Sequence, residues 1–128
     1  MISYLLDSDV LMDFFKKKKE SVRIINNISK KGKLTASILS VTELRAGWSQ
    51  EQCQFFLPRF YKFISIKYIT KEIAELAGKF RWEYKKKGIT LSAIDTLIAA
   101  TAIVEDCHLV TRNKKDFPMK NLKLYPLQ

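Results

Sequence analysis

The chain has 128 residues, 47% of them hydrophobic, and its 23 Lys and Arg against 13 Asp and Glu give a formal charge of +10. That is one domain's worth of core without disulfides or a structural metal, and no run of about 18 apolar residues offers a membrane span. Cys53 and Cys107 stand apart with no CxxC, which leaves disulfide scaffolds and zinc ribbons with little support, while the basic balance suits polyphosphate or an acidic partner.

The start, MISYLLDSDVLMDFF, has acids where a signal peptide carries bases, so a cytoplasmic protein is expected. Ile2–Leu6 reads as a short buried strand ended by Asp7-Ser8-Asp9, which can cap a helix through VLMDFF to the run Lys16–Lys19. A second helix fits Glu20–Ser29, with Val22, Ile25 and Ile28 on one side and Gly32 closing it. Leu34–Ile38 reads as a strand, and Ser40-Val-Thr-Glu43 as a capping box opening the helix ELRAGW. Glu51–Phe60 is a further helical segment and Phe63–Ile66 a third strand.

From Thr70 a long helix runs to Lys87 and stops at Gly88, with Ile73, Ala77, Phe80 and Tyr84 spaced for one face. The next helix, about Ala93–Asp106, is apolar all round and so belongs inside; Ser92 is its expected N-cap and Asp95 its third helical position. His108–Thr111 reads as a fourth strand and Leu122–Tyr125 as a possible fifth. The sole histidine removes His-based zinc sites and His-dependent triads from contention, and His108 itself reads as a strand residue. No repeat or Pro/Gly/Ser linker interrupts the chain, so residues 1–128 are expected to form a single domain.

Short apolar strands alternating with helices predict an α/β domain, a mostly parallel sheet of four to five strands with helices on both faces. If the strands run upward, Asp7 tops the first, Glu43 opens the helix leaving the top of the second, and Asp95 starts the helix that descends before the fourth. Asp116 lies just past that strand, near the same edge, where open parallel sheets bind ligands. Each acid also has a local explanation, as a cap for Asp7, Asp9, Glu43 and Asp95 or a turn residue for Asp116. Those explanations give no reason for the acids to share one edge. Clustered carboxylates repel unless a cation neutralises them, and all-oxygen ligands favour Mg²⁺ or Mn²⁺, which suits phosphate-ester hydrolysis in a basic protein.

YLLDSDVLMDFF, SVTELRAG, SAIDTLIAATAI and LVTRNKKDFP, in that order, resemble the four successive motifs of PIN-domain ribonucleases, in particular the VapC-type toxins of type II toxin–antitoxin modules. The resemblance spans nearly the whole chain and implies a PIN-like fold. Carried over residue by residue, the family's catalytic metal-binding acids fall on Asp7, Glu43 and Asp95. For the fourth, many relatives place Asp directly after a Thr-Arg-like pair, where this chain has Asn113, with Asp116 three residues later. Asn113 can ligate through its carbonyl or hold a water, and Asp116 can supply the charge. Ser8, Asp9 and Thr111 match polar positions that hold or cap the acids, and Arg112, Lys114 and Lys115 are candidates for RNA phosphate contacts.

By this resemblance the chain is a Mg²⁺- or Mn²⁺-dependent endoribonuclease of structured RNA, tRNA or rRNA, leaving 5′-phosphate and 3′-hydroxyl ends. An antitoxin of VapB type would cover its site, and a homodimer and a larger toxin–antitoxin complex are expected. Trp48, Phe55, Phe56, Phe60, Trp82 and Tyr84 are either core or a groove for the antitoxin's apolar segment. Two alternatives stand beside it: a housekeeping PIN-domain RNA-processing nuclease without antitoxin, and an inactive RNA- or protein-binding module.

Overall fold

The computed structural model describes residues 1–127. Among them a four-stranded sheet has the order β3-β2-β1-β4, formed by β1 (Ile2–Leu6), β2 (Gly32–Ser37), β3 (Ser65–Lys67) and β4 (Cys107–Val110). Every pairing is parallel: β1 runs beside β2 from Ile2↔Gly32 to Leu5↔Thr35 and beside β4 from Ser3↔Cys107 to Leu6↔Val110, and β2 pairs with β3 from Thr35↔Ser65 to Ser37↔Lys67. The expected fifth strand is reduced to an isolated parallel bridge, Leu109↔Leu124, held by Leu109 N donating to Lys123 O and Tyr125 N to Leu109 O, both 2.8 Å.

Helices cover both faces, and the alternation of side chains along β1 shows why. Tyr4 and Leu6 face a core supplied by α1 (Ser8–Phe15), α2 (Lys19–Ser29), α3 (Ile38–Gly47) and α4 (Gln50–Phe63), through Leu11, Ile25, Ile28, Leu44 and Phe60. Leu5 faces the other way, into Phe80 of α5 (Lys71–Lys86) and Ile98, Ala99 and Ala102 of α6 (Ala93–Val104). The small residues of α6 let its backbone lie close to the sheet, which explains an apolar surface on nearly every side. Ala99, Ala100 and Ala102 are fully buried. Among the described residues no helix is long and apolar enough to cross a membrane.

Two local readings change. Gly32 does not close α2, which ends at Ser29; it opens β2 opposite Ile2, where an added Cβ would lie 2.1 Å from the Ile2 carbonyl oxygen. The residue is glycine because the strands need that approach. The Ser40–Glu43 capping box does not form, because Ser37 caps α3 three residues earlier through Leu39 N, 3.1 Å from its hydroxyl. Ser40 is buried inside the helix instead. The expected stop at Gly88 stands, with φ +79 after α5.

Candidate metal and RNA-cleavage site

Strands β2 and β3 follow β1 on one side and β4 lies on the other, so the order reverses between β1 and β4. Asp7 and Thr111 leave the carboxyl ends of those two strands and face each other across that reversal, the usual ligand crevice of an open parallel sheet. Thr111 Oγ1 donates to Asp7 Oδ2 at 2.9 Å, Ser8 N donates to Asp7 Oδ1 at 2.9 Å, and Asp7 N donates to Val110 O at 2.9 Å. Asp7 is thus both the N-cap of α1 and the tie between two strand ends.

Asp7 is 8% exposed, and burial pushes its carboxyl up to about 7. The neighbouring Asp9 adds to the rise, the bonds from Thr111 and Ser8 oppose it, and Glu43 raises it further. This is a carboxylate held where its charge is poorly accommodated by the protein alone. Asp9 is also raised, by burial first, although it accepts Val10 N at 2.6 Å, Arg112 N at 3.2 Å and Asn113 Nδ2 at 3.0 Å.

Across the crevice, Asp95 sits in the first turn of α6, its backbone N donating to the Ser92 hydroxyl at 3.0 Å. Partial burial raises its carboxyl, the Ser92 hydroxyl opposes, and Asp116 raises it again. Asp116, half-buried, ends the 3-10 turn Lys114–Asp116. Glu43 is exposed on α3 and makes no hydrogen bond through its side chain among the described residues.

The predicted acids therefore gather as electrostatic neighbours, Asp7 with Asp9 and Glu43, and Asp95 with Asp116. Among the described residues no three acidic, Cys or His side chains close on one point as a finished cage. The donor chemistry still fits a hard divalent cation: the donors are oxygens, and the acids at this edge raise one another's affinity for protons, a strain that a cation relieves. Asp7, Glu43 and Asp95 would hold it, with Asp116 on the Asp95 side. Asn113 is turned to Asp9 by its amide nitrogen and takes its own backbone N–H to Thr111 Oγ1 at 3.1 Å.

The basic candidates divide. Arg112 forms an ion pair through Nη1 with Asp13, which is 5% exposed and also faces Lys18 at 3.4 Å, so its guanidinium clips the post-β4 loop to α1 while the side chain stays half exposed. Lys114 Nζ donates to Leu127 O at 3.4 Å, and Lys115 is exposed. Asp13 escaped the sequence reading; its one signal is the i,i+4 spacing from Asp9, which puts both acids on one side of α1. Of the aromatic candidates, Trp48 and Phe60 are core residues, Phe56 packs against them, and Phe55 and Trp82 are exposed.

Comparison with known proteins agrees with this architecture. Residues 4–121 match the PIN domain family. The chain is 33% identical over 113 residues to "Ribonuclease VapC1" of Methanocaldococcus jannaschii, covering 88% of this chain and 77% of that protein. It is 31% identical over 121 residues to "Ribonuclease VapC2" of Rickettsia felis, covering 89% of each. Among solved structures, a chain of the Rickettsia felis VapBC2 complex bound to a promoter DNA fragment superposes with a TM-score of 0.84 at 26% identity, over 97% of this chain and 98% of that one. A chain of a toxin–antitoxin complex from Klebsiella pneumoniae superposes with a TM-score of 0.76 at 25% identity, over 97% and 99%. The four-stranded parallel sheet, the acids at its switch point and these matches together establish that the chain belongs to the PIN domain family, on its VapC-type branch.

Proposed function

We propose that this protein is the ribonuclease toxin of a toxin–antitoxin module and cuts structured RNA, tRNA or rRNA, with Mg²⁺ or Mn²⁺ as cofactor. The observation that carries the reading is Asp7, 8% exposed and raised to about 7 at the β1/β4 switch point, with Glu43 among its neighbours and the Asp95–Asp116 pair at the same edge. When bound, the cation supplies acidity to a water and offsets charge on the phosphate. The protein does the rest. Thr111 and Ser8 fix both oxygens of Asp7, Ser92 anchors the helix turn carrying Asp95, and the buried α6 behind it keeps that turn in place. The bond broken is a phosphodiester, with 5′-phosphate and 3′-hydroxyl products.

The partner in this reading is an antitoxin of VapB type. On the opposite sheet face from α6, a groove of about 910 Å³ runs between α1, α2 and α4, walled by Phe14, Phe15, Phe56, Phe60 and Phe63. Lys17, Lys19, Arg23 and Arg59 also line it, which suits an apolar segment flanked by acids. A homodimer is the expected assembly of the toxin itself.

The test is total RNA incubated with the parent, Glu43→Gln and Asp95→Asn in Mg²⁺ or Mn²⁺ and in EDTA, with the cut ends mapped. Cleavage by the parent alone, abolished by EDTA, is expected. If both variants cut like the parent, the acids are not a metal site. If the parent neither cleaves RNA nor binds a divalent cation, a binding module is the better description, and the turn of Asn113 onto Asp9 is the feature that favours it.

A further inference from the structure

The two tryptophans differ sharply: Trp48 is 6% exposed in the core, whereas Trp82 is 62% exposed near the C-terminal end of α5. A lone exposed ring needs no explanation, but this one lines a cavity of about 300 Å³ with Arg81, Lys85, Thr90 and Leu91. That volume is at the small end for ligand pockets and suits a single planar ring, not a helix. Lys86 Nζ stands 4.2 Å from the centroid of the Trp82 ring, so the indole already holds a cation on its face. Among the described residues none of Arg81, Lys85 and Lys86 is in an ion pair, which leaves Lys86 on the ring and two further cations in the cavity wall.

The cavity also has a definite place. Leu91, in its wall, directly precedes Ser92, the cap of the turn that carries Asp95. The Tyr84 hydroxyl donates to Pro118 O at 3.0 Å, tying the same end of α5 to the segment just past Asp116. Leu91 therefore links the patch to the turn that carries Asp95, on the sheet face opposite the apolar groove, while Tyr84, two positions past Trp82 on α5, turns to the other side of the helix.

We propose that Trp82, with Arg81, Lys85 and Lys86, is a subsite of this chain that stacks an unpaired base of the RNA while the cations meet the flanking phosphates. The inference rests on the ribonuclease reading and adds to it an element that selects single-stranded nucleotides. A nucleotide is the ligand that presents a flat π face and negative charge at adjoining positions, which is what this surface complements. An acidic peptide would satisfy the cations but leave the ring unused.

The experiment measures binding of a short single-stranded oligoribonucleotide of mixed sequence, and of an equal-length oligomer lacking its central bases, to the full chain in EDTA. Tryptophan emission and anisotropy are the readouts. The parent is expected to lose Trp82 emission on binding, Trp82→Ala to bind the base-containing oligomer about tenfold or more weakly, and Trp82→Phe to keep most of the affinity. The oligomer without bases should bind parent and Trp82→Ala alike. Circular dichroism confirms folding, as expected for a side chain so exposed.

Equal affinity of parent and Trp82→Ala for the base-containing oligomer overturns the subsite, as does equal loss for both oligomers. A change in sedimentation of Trp82→Ala with unchanged RNA affinity overturns it too, and makes this face an interface between copies of the chain. Cleavage of total RNA in Mn²⁺ separates the two levels: if the parent cuts and Trp82→Ala shows the same KM, the subsite fails and the ribonuclease stands, whereas a parent that neither cuts nor binds RNA removes both.

Discussion

The two sides of the crevice are built differently. On the β1/β4 side, Asp7 is buried and has both carboxylate oxygens fixed by Ser8 and Thr111, and Asp9 is held by three donors. On the other side, Asp95 is only half-buried, beside the half-buried Asp116, and among the described residues its one side-chain partner is the Ser92 hydroxyl; Glu43, a neighbour of Asp7, is exposed with no side-chain hydrogen bond among them. The first side is wired by the fold and carries its electrostatic cost in the folded protein. The second is more hydrated and less fixed by the fold. Under the proposed function, the buried Asp7 would be the rigid anchor and a bound cation would gather the remaining acids.

The largest expected effect breaks both sides at once through their shared chemistry. Glu43→Gln and Asp95→Asn should each lower RNA cleavage by about a hundredfold or more, because the charge that holds the cation is lost. Glu43→Gln should leave the melting temperature unchanged, because the side chain is exposed and unbonded.

Next in size is a pH effect centred on the Asp7 side, where the shift is largest. The folded protein keeps a proton on Asp7 up to about pH 7, whereas an unfolded carboxyl loses it near pH 4, so stability falls as pH rises through that window. Denaturant unfolding in EDTA should find Asp7→Asn more stable than the parent by roughly 1–3 kcal/mol at pH 8 and equal to it near pH 4. A parent stability that does not decline between those values would show that Asp7 is not a charge stored at a cost.

Smaller effects sharpen the contrast. Thr111→Val removes the donor to Asp7 Oδ2 and should cost about 1–2 kcal/mol, more at pH 8, where Asp7 is charged, than at pH 5. Ser92→Ala removes the cap at Asp95 N and should cost about 1 kcal/mol, with a weaker pH dependence than Thr111→Val because Asp95 is less buried than Asp7. Equal pH dependence of the two would erase the difference between the sides.

The parts legible in the sequence were those written locally. The strand Ile2–Leu6 followed by Asp7, the Ser92 cap and the Gly88 stop each depend on a few adjacent residues, and the folded chain has them as expected. Around residues 37–43 the pattern failed because the buried end of β2 passes straight into α3 with no turn between them, and apolar periodicity does not mark the join. Ser37 won the cap that Ser40 was assigned. A true capping box went unread at Ser49 and Gln52, where Gln52 N reaches the Ser49 hydroxyl at 3.2 Å and Ser49 N reaches the Gln52 side chain at 2.9 Å, although its S-x-x-Q signature was present. The Arg112–Asp13 clip and the Asn113–Asp9 bond join residues about a hundred positions apart, and no local signal announces them. The expectation that Asp7, Glu43 and Asp95 share one sheet edge was drawn from topology; the parallel sheet it assumed is present, and the acids are found as two groups, Asp7 with Glu43 and Asp95 with Asp116.

The most direct measurement is a calorimetric titration of Mn²⁺ into the full chain at pH 6.5 in two buffers of different ionisation enthalpy. If the acids form a cation site anchored on Asp7, binding should release protons in the parent, since Asp7 holds part of one at this pH, and both binding and release should be lost in Asp7→Asn. Mn²⁺ binding of equal strength and proton count in parent and Asp7→Asn would contradict the account.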